Sequence, residues 1–164
     1  MQIRIGNRQD EKRVQALAQE ICEEFGRAFD LDQGDQDLKN IEAKYFGLDG
    51  IFLVVEEEKQ IVGFAGAIRK DENHCVLRRI CLEKLWRRKG VGRQMIKIVL
   101  SHAKQMGFKS VELGENPFQT NNGKSSEAIS DDPAKFFSAC GFPNLENATT
   151  KGRLSFAPYL FTEG

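Results

Sequence analysis

Arg87-Arg88-Lys89-Gly90-Val91-Gly92-Arg93 sets four cations around two glycines, just ahead of a segment whose apolar residues recur at helical spacing. At a helix N-terminus successive backbone N–H groups lack intrahelical partners and stand at the positive end of the dipole, so such a turn attracts anions. Gly90 and Gly92 allow close approach of a ligand to the backbone, while Arg87, Arg88, Lys89 and Arg93 add positive charge around it. This chemistry suits a pyrophosphate. The turn lacks the G-x-x-x-x-G-K-[ST] of a Walker loop and the G-x-G-x-x-G fingerprint with its downstream acid, which disfavours a nucleotide-binding fold. The plain alternative is a basic turn that caps a helix on a solvated face.

Other polar residues point to less. Cys75 and Cys81 lie six residues apart on one expected strand, about 20 Å at the usual rise, and cannot share an ion with each other, so no metal is expected. Asp30, Asp32 and Asp35 lack the glycine and the glutamate that a calcium loop needs at its sixth and twelfth positions, where Asp35 and Ile41 stand. His102 sits roughly 15 Å of helix rise beyond Gly92, too far to serve the turn, and is expected to pack. No Cys or Ser with a paired His suggests a covalent nucleophile.

The elements that must position the turn follow from periodicity. Ile3 and Ile5 alternate as in a first strand, and Val14, Leu17, Ala18, Ile21, Phe25 and Phe29 mark an amphipathic helix. The acidic run from Asp30 to Asp37 should be a polar connection to a shorter helix carrying Leu38, Ile41 and Tyr45. Ile51–Val55 and Ile61–Ile68 flank the charged residues 56–60 as an antiparallel hairpin, and a further strand is expected from about His74 to Leu82. Val91, Met95, Ile98, Val99, Ala103 and Met106 then form a helical stripe that Gly107 ends. Val111 and Leu113 mark the next strand, and the polar stretch from Pro117 to Pro133 is long enough to suggest function. Asp132-Pro133 opens a last helix that closes at Gly141, and at least one strand lies between Arg153 and Phe161.

With 164 residues, 40% hydrophobic content and no internal repeat or linker, the chain should form one domain over residues 1–164, of mixed α/β (α+β) class. Lys+Arg and Asp+Glu balance at 24 each, so net charge gives no sign of a nucleic-acid or membrane-surface partner. The start lacks a signal-peptide apolar run and no stretch approaches the length of a membrane helix, so the expected location is the cytoplasm. Cys22, Cys75, Cys81 and Cys140 stand singly and are expected to be reduced, buried thiols.

Two motifs carry a resemblance. Ile80-Cys81-Leu82-Glu83-Lys84-Leu85-Trp86 followed by Arg87-Arg88-Lys89-Gly90-Val91-Gly92 is similar to the strand and the [R/Q]-x-x-G-x-[G/A] turn of the GNAT superfamily of N-acetyltransferases. Ala134-Lys135-Phe136-Phe137-Ser138-Ala139-Cys140-Gly141-Phe142 stands where that family has A-x-x-[FL]-Y-x-x-x-G-F. The order of elements matches over almost the whole chain.

The resemblance implies a mostly antiparallel sheet with helices on both faces, splayed between its fourth and fifth strands, where the pantetheine arm of acetyl-CoA would lie. Backbone groups near Ile80 and Leu82 would bond that arm and polarise the thioester, and Arg87, Arg88, Lys89, Gly90, Val91, Gly92 and Arg93 would hold the pyrophosphate. An amine acceptor must be deprotonated, and Glu115, closing the fifth strand, is the candidate general base, with Asn116 as helper. Asp30 to Asp37 would border the acceptor site and favour cationic acceptors. Phe137 falls on the cofactor-side position where the family commonly has a tyrosine that protonates the departing thiolate, so this acid is missing. An acyl-CoA-binding regulatory domain without catalysis is therefore the alternative, and an interaction module for an acidic partner is a second one. The acceptor, a small molecule or a protein amine, is not named by these residues, and a homodimer is within the family's habits.

Overall fold

The computed structural model describes residues 1–113, 133–142, 144–146, 155–156 and 159–161. Among these residues eight strands run β1 Gln2–Ile5, β2 Ile51–Glu57, β3 Gln60–Arg69, β4 His74–Leu82, β5 Ser110–Leu113, β6 Asn144–Glu146, β7 Ser155–Phe156 and β8 Tyr159–Leu160. The same described residues hold four α-helices: α1 Glu11–Glu24, α2 Ile41–Lys44, α3 Val91–Gln105 and α4 Pro133–Ala139. Six strands form one sheet in the order β1-β2-β3-β4-β5-β8, while β6 and β7 pair separately. Every pairing in the large sheet is antiparallel except that of β4 with β5.

Each face of this sheet buries one helix-lined core. Val14, Leu17, Ala18, Ile21 and Cys22 of α1 pack with Leu38, Ile41, Tyr45, Phe52 and Phe64 on one side. Val91, Met95, Ile96, Val99 and Ala103 of α3 pack with Leu77, Ile80, Leu82, Phe137 and Phe142 on the other. The predicted stripes thus face the sheet, as removal of apolar surface from water requires, except that Met106, just past the end of α3, is exposed and the buried Ile96 joins the stripe.

Asn7 and Asp10 form a capping box ahead of α1, which ends five residues before the expected Phe29. Gly26 takes φ +67°, and the Arg27 N–H returns 2.8 Å to the Cys22 carbonyl, closing the helix in a left-handed cap. The expected second helix is instead a 3-10 turn over Gln36–Lys39 followed by the single turn α2. Glu58 and Lys59, with φ of +49° and +65°, make the tight turn of the β2–β3 hairpin, so Glu56 and Glu57 belong to the strand. Gly66 has to be glycine for a different reason: a Cβ there would collide with the Tyr45 ring.

Among the described residues no helix is long and apolar enough to cross a membrane. Cys22, Cys75 and Cys81 are buried free thiols, and Cys140 is half-buried. Burial pushes the Cys22 and Cys75 thiols up to about 11, which leaves them protonated and unreactive at neutral pH.

Candidate active site

The fourth strand supplies the floor of the site, and its geometry turns on one extra residue. Arg79 pairs with Gly66 and Leu77 with Ala67, so Arg78 is a β-bulge. A bulge interrupts strict alternation. Leu77 before it and Ile80 and Leu82 after it consequently all face α3, while Arg79 points to the opposite side among Tyr45, Asp35 and Asp37.

Among the described residues, pairing between β4 and β5 joins His74–Leu77 to Ser110–Leu113. From Arg79 to Leu82 the strand keeps β3 as neighbour on one edge, and no described strand lies against the other. An edge without a partner strand presents rows of N–H and C=O groups, a ready template for an extended ligand.

Past Leu82 the chain descends through the 3-10 turn Lys84–Trp86 into the glycine-bearing turn. Arg88 has φ +65° and Gly90 has φ +84°, ψ 0°, and α3 begins at Val91. The N–H of Gln94 is the first to bond within the helix, to the Gly90 carbonyl at 3.2 Å. That leaves the N–H groups of Val91, Gly92 and Arg93 without a helical partner, as at any helix start.

A cavity of about 240 Å³ opens at this turn. Arg88, Gly90, Gly92 and Arg93 form one wall, Phe136, Ala139 and Cys140 of the α4 segment form the other, and Leu82 comes from β4. The two sequence motifs, some fifty residues apart in the chain, therefore meet across one cavity. Unpaired donors and Arg88 at one wall and apolar side chains at the other suit a ligand with an anionic group and an apolar arm.

The predicted ligand residues divide once their partners are known. Lys89 is exposed and lies over the Trp86 ring at 5.1 Å. Val91 and Ile80 are buried in the α3 core, so only their backbones can serve a ligand. Arg93 donates to the Ala139 carbonyl at 2.9 Å, tying the two cavity walls together. Arg87, expected to add charge around an anion, instead turns its side chain inward: Nε donates to the Leu82 carbonyl at 2.8 Å and the fork grips both oxygens of Glu24.

Phe137 is 4% exposed and packs edge-on against Phe136 and Phe142, inside the core beneath the cavity. Its neighbour Phe136 lines the cavity, a role the sequence reading did not assign. Glu115, Asn116 and the stretch from Pro117 to Asp132 lie outside the described residues.

A larger correction concerns the acidic run. Asp30 and Asp32 are exposed, but Asp35 and Asp37 are buried and cannot border a solvent-open acceptor site as free charges. The reason is Arg79, 1% exposed, whose Nε and Nη2 donate to Asp37 at 2.7 Å each and whose Nη2 also donates to Asp35 at 3.0 Å. Tyr45 Oη adds a short hydrogen bond to Asp37. Burial pushes the Asp37 carboxyl up, but the hydrogen bonds and charge of Arg79, with Tyr45, outweigh it and hold the carboxyl below its ordinary range. The available signal was the pair Arg78-Arg79 between apolar runs of the strand, since an arginine buried there needs a counter-ion. Among the described residues no cluster of His, Cys, Asp and Glu could hold a metal ion.

Comparison with known proteins bears on this geometry directly. The family model described as the acetyltransferase (GNAT) family matches residues 15–125, well over half of the chain. The fold is similar to that of an acetyltransferase of the GNAT family from Staphylococcus aureus Mu50, with a TM-score of 0.75 and 24% identity over 96% of this chain and 98% of that one. It is similar too to the PaiA N-acetyltransferase of Thermoplasma acidophilum, solved with coenzyme A, with a TM-score of 0.65 and 16% identity over 94% of each chain. An aminoglycoside 6'-N-acetyltransferase complexed with coenzyme A matches with a TM-score of 0.69 and 12% identity over the full length of both. No curated protein matches by sequence.

Proposed function

Since the chain belongs to the acetyltransferase (GNAT) family, we propose that it moves an acetyl group from acetyl-CoA to a primary amine by direct attack, both substrates being bound together. The observation that carries this reading is the cavity where the N–H groups at the head of α3 meet Leu82, the end of β4. Coenzyme A has an anionic diphosphate and an extended arm, and these are the two shapes that the turn and the strand edge complement. Relatives of this fold solved with coenzyme A support it.

Acetyl-CoA, when bound, supplies an activated thioester carbonyl. The backbone of Gly90, Val91, Gly92 and Arg93, with the Arg88 and Lys89 cations, would hold the diphosphate. Backbone groups of Ile80 and Leu82 beside the bulge would orient the arm and stabilise developing oxyanion charge, the effect that is usually largest in acyl transfer. Glu115 would take the proton from the acceptor ammonium, directly or through water. Phe137 offers no proton, and a free thiol's pKa of about 8.5 makes the thiolate a tolerable leaving group without an acid.

The test is a screen of amines with acetyl-CoA in which free thiol is detected. Acetyl transfer to one amine class establishes the reaction, whereas tight coenzyme binding with no acceptor at all would favour the regulatory alternative. In the same assay Glu115→Gln is expected to lower kcat/KM by roughly 10²- to 10⁴-fold, with coenzyme affinity kept. An unchanged pH–rate profile in that variant assigns the base elsewhere.

A further inference from the structure

The motif arginine stands apart from its neighbours in the turn. The Arg87 side chain is 7% exposed, its guanidinium is shared between a strand carbonyl and a carboxylate gripped at 2.7 and 2.8 Å, and it lies over the Phe25 ring at 5.4 Å. A bidentate Arg–carboxylate fork of this length is among the stronger charge-assisted pairs, and a phosphate would have to displace it.

Glu24 is the last residue of α1, where the helix dipole disfavours an acid, and the last turn carries no base of its own. An acid at that end is compensated only by a cation from elsewhere, and Arg87 is that cation, 63 residues away in sequence. The backbone at Arg87 is extended, with φ −72° and ψ +153°, and the next residue turns to φ +65°. The side chain is thus fixed to α1 and β4 at the point where the main chain departs to build the left-handed turn.

We infer that Arg87 is a positioning residue for the coenzyme: with Glu24 and the Leu82 carbonyl it pins the start of the 88–92 turn, so the N–H groups of α3 are preorganised without Arg87 touching phosphate. This inference rests on the coenzyme reading above. Preorganisation of this kind raises affinity by removing the ordering cost of the loop.

A double-mutant cycle tests it on the full chain, with Glu24→Gln, Arg87→Gln and the double variant measured for coenzyme A affinity by calorimetry at two salt concentrations. Each single change is expected to weaken binding about tenfold, and the double change no more than either single, because the pair acts as one strap. The salt dependence should stay that of the wild type, since no phosphate contact is lost, and KM for acetyl-CoA should rise with kcat nearly unchanged. Amide exchange in the 88–92 turn of the ligand-free protein should quicken in both single variants.

Undiminished affinity in Glu24→Gln, together with weaker and less salt-dependent binding in Arg87→Gln, would make Arg87 a direct phosphate ligand and overturn the inference. A wild type that binds no coenzyme A would instead overturn the coenzyme reading, and the inference with it; unchanged amide exchange in the variants would overturn the strap alone.

Discussion

Replacing Gly90 with aspartate is expected to abolish the rise in melting temperature that acetyl-CoA gives the wild-type protein. At a ligand concentration about a hundred times Kd, binding adds about 2.7 kcal/mol of stability, which for a chain of this size is a shift of roughly 5–11 °C. Gly90 has φ +84°, and among the described residues no heavy atom beyond the adjoining backbone comes within 4 Å of where its Cβ would lie, so space is not the constraint. Two other effects are. A side chain in the left-handed region costs about 1–2 kcal/mol, though Asn and Asp carry it best, and a carboxylate would stand where the anion should bind. Gly90→Asn separates the two, being matched in shape and neutral. It should keep most of the thermal shift that Gly90→Asp loses, and equal loss in both would mean that backbone geometry, not charge, governs the site. A full shift retained in Gly90→Asp would remove the anion turn from the coenzyme site.

Removing the carboxylate of Asp37 should cause the largest loss of stability of any change considered. Arg79 is buried on the α1 side of the sheet, where Asp37 and Asp35 compensate its charge. Breaking a buried pair by deleting one partner typically costs about 3–5 kcal/mol, here a fall of roughly 6–20 °C in melting temperature for Asp37→Asn. Tyr45→Phe removes one donor and should cost less, about 1–3 kcal/mol.

The pH dependence has a definite sign. Because the folded Asp37 carboxyl lies below its unfolded value near 3.9, its contribution is complete above about pH 4 and is lost as pH falls through the folded value. Asp10, held low mainly by the hydrogen bond from Arg4, adds to the same acid loss, so the difference between wild type and Asp37→Asn isolates the Asp37 share. Thermal melts from pH 7 to pH 2 would show the two curves converging at the acid end. Parallel curves, or a loss at neutral pH under about 1 kcal/mol, would mean that the cluster does not hold the fold.

The stripe from Val91 to Ala103, the hairpin and the strand ending at Leu82 were legible because a single helix or strand declares its buried face by its own period. The anion turn was legible for a related reason. Its chemistry lies in contiguous residues, with glycine at 90 where the left-handed conformation is needed and cations beside it. The GNAT family followed from that turn and from the Phe-Phe segment before Gly141.

Partnership across the sheet was decided only by the tertiary structure. Local periodicity could not tell that Arg78 is bulged, and with it that Arg79 turns away from Ile80's face to recruit Asp35 and Asp37 out of an apparently solvated run. Nor could it tell that, of four similar cations, Arg88 lines the cavity while Arg87 reaches Glu24 and Arg93 reaches Ala139. A charged side chain's role depends on which opposite charge or carbonyl lies within about 3 Å, and Asp37 and Glu24, the acids that hold Arg79 and Arg87, come from 42 and 63 positions away in the chain. Periodicity reports whether a residue faces the core, whereas the packing of α1 and α4 against one sheet determines what it meets there.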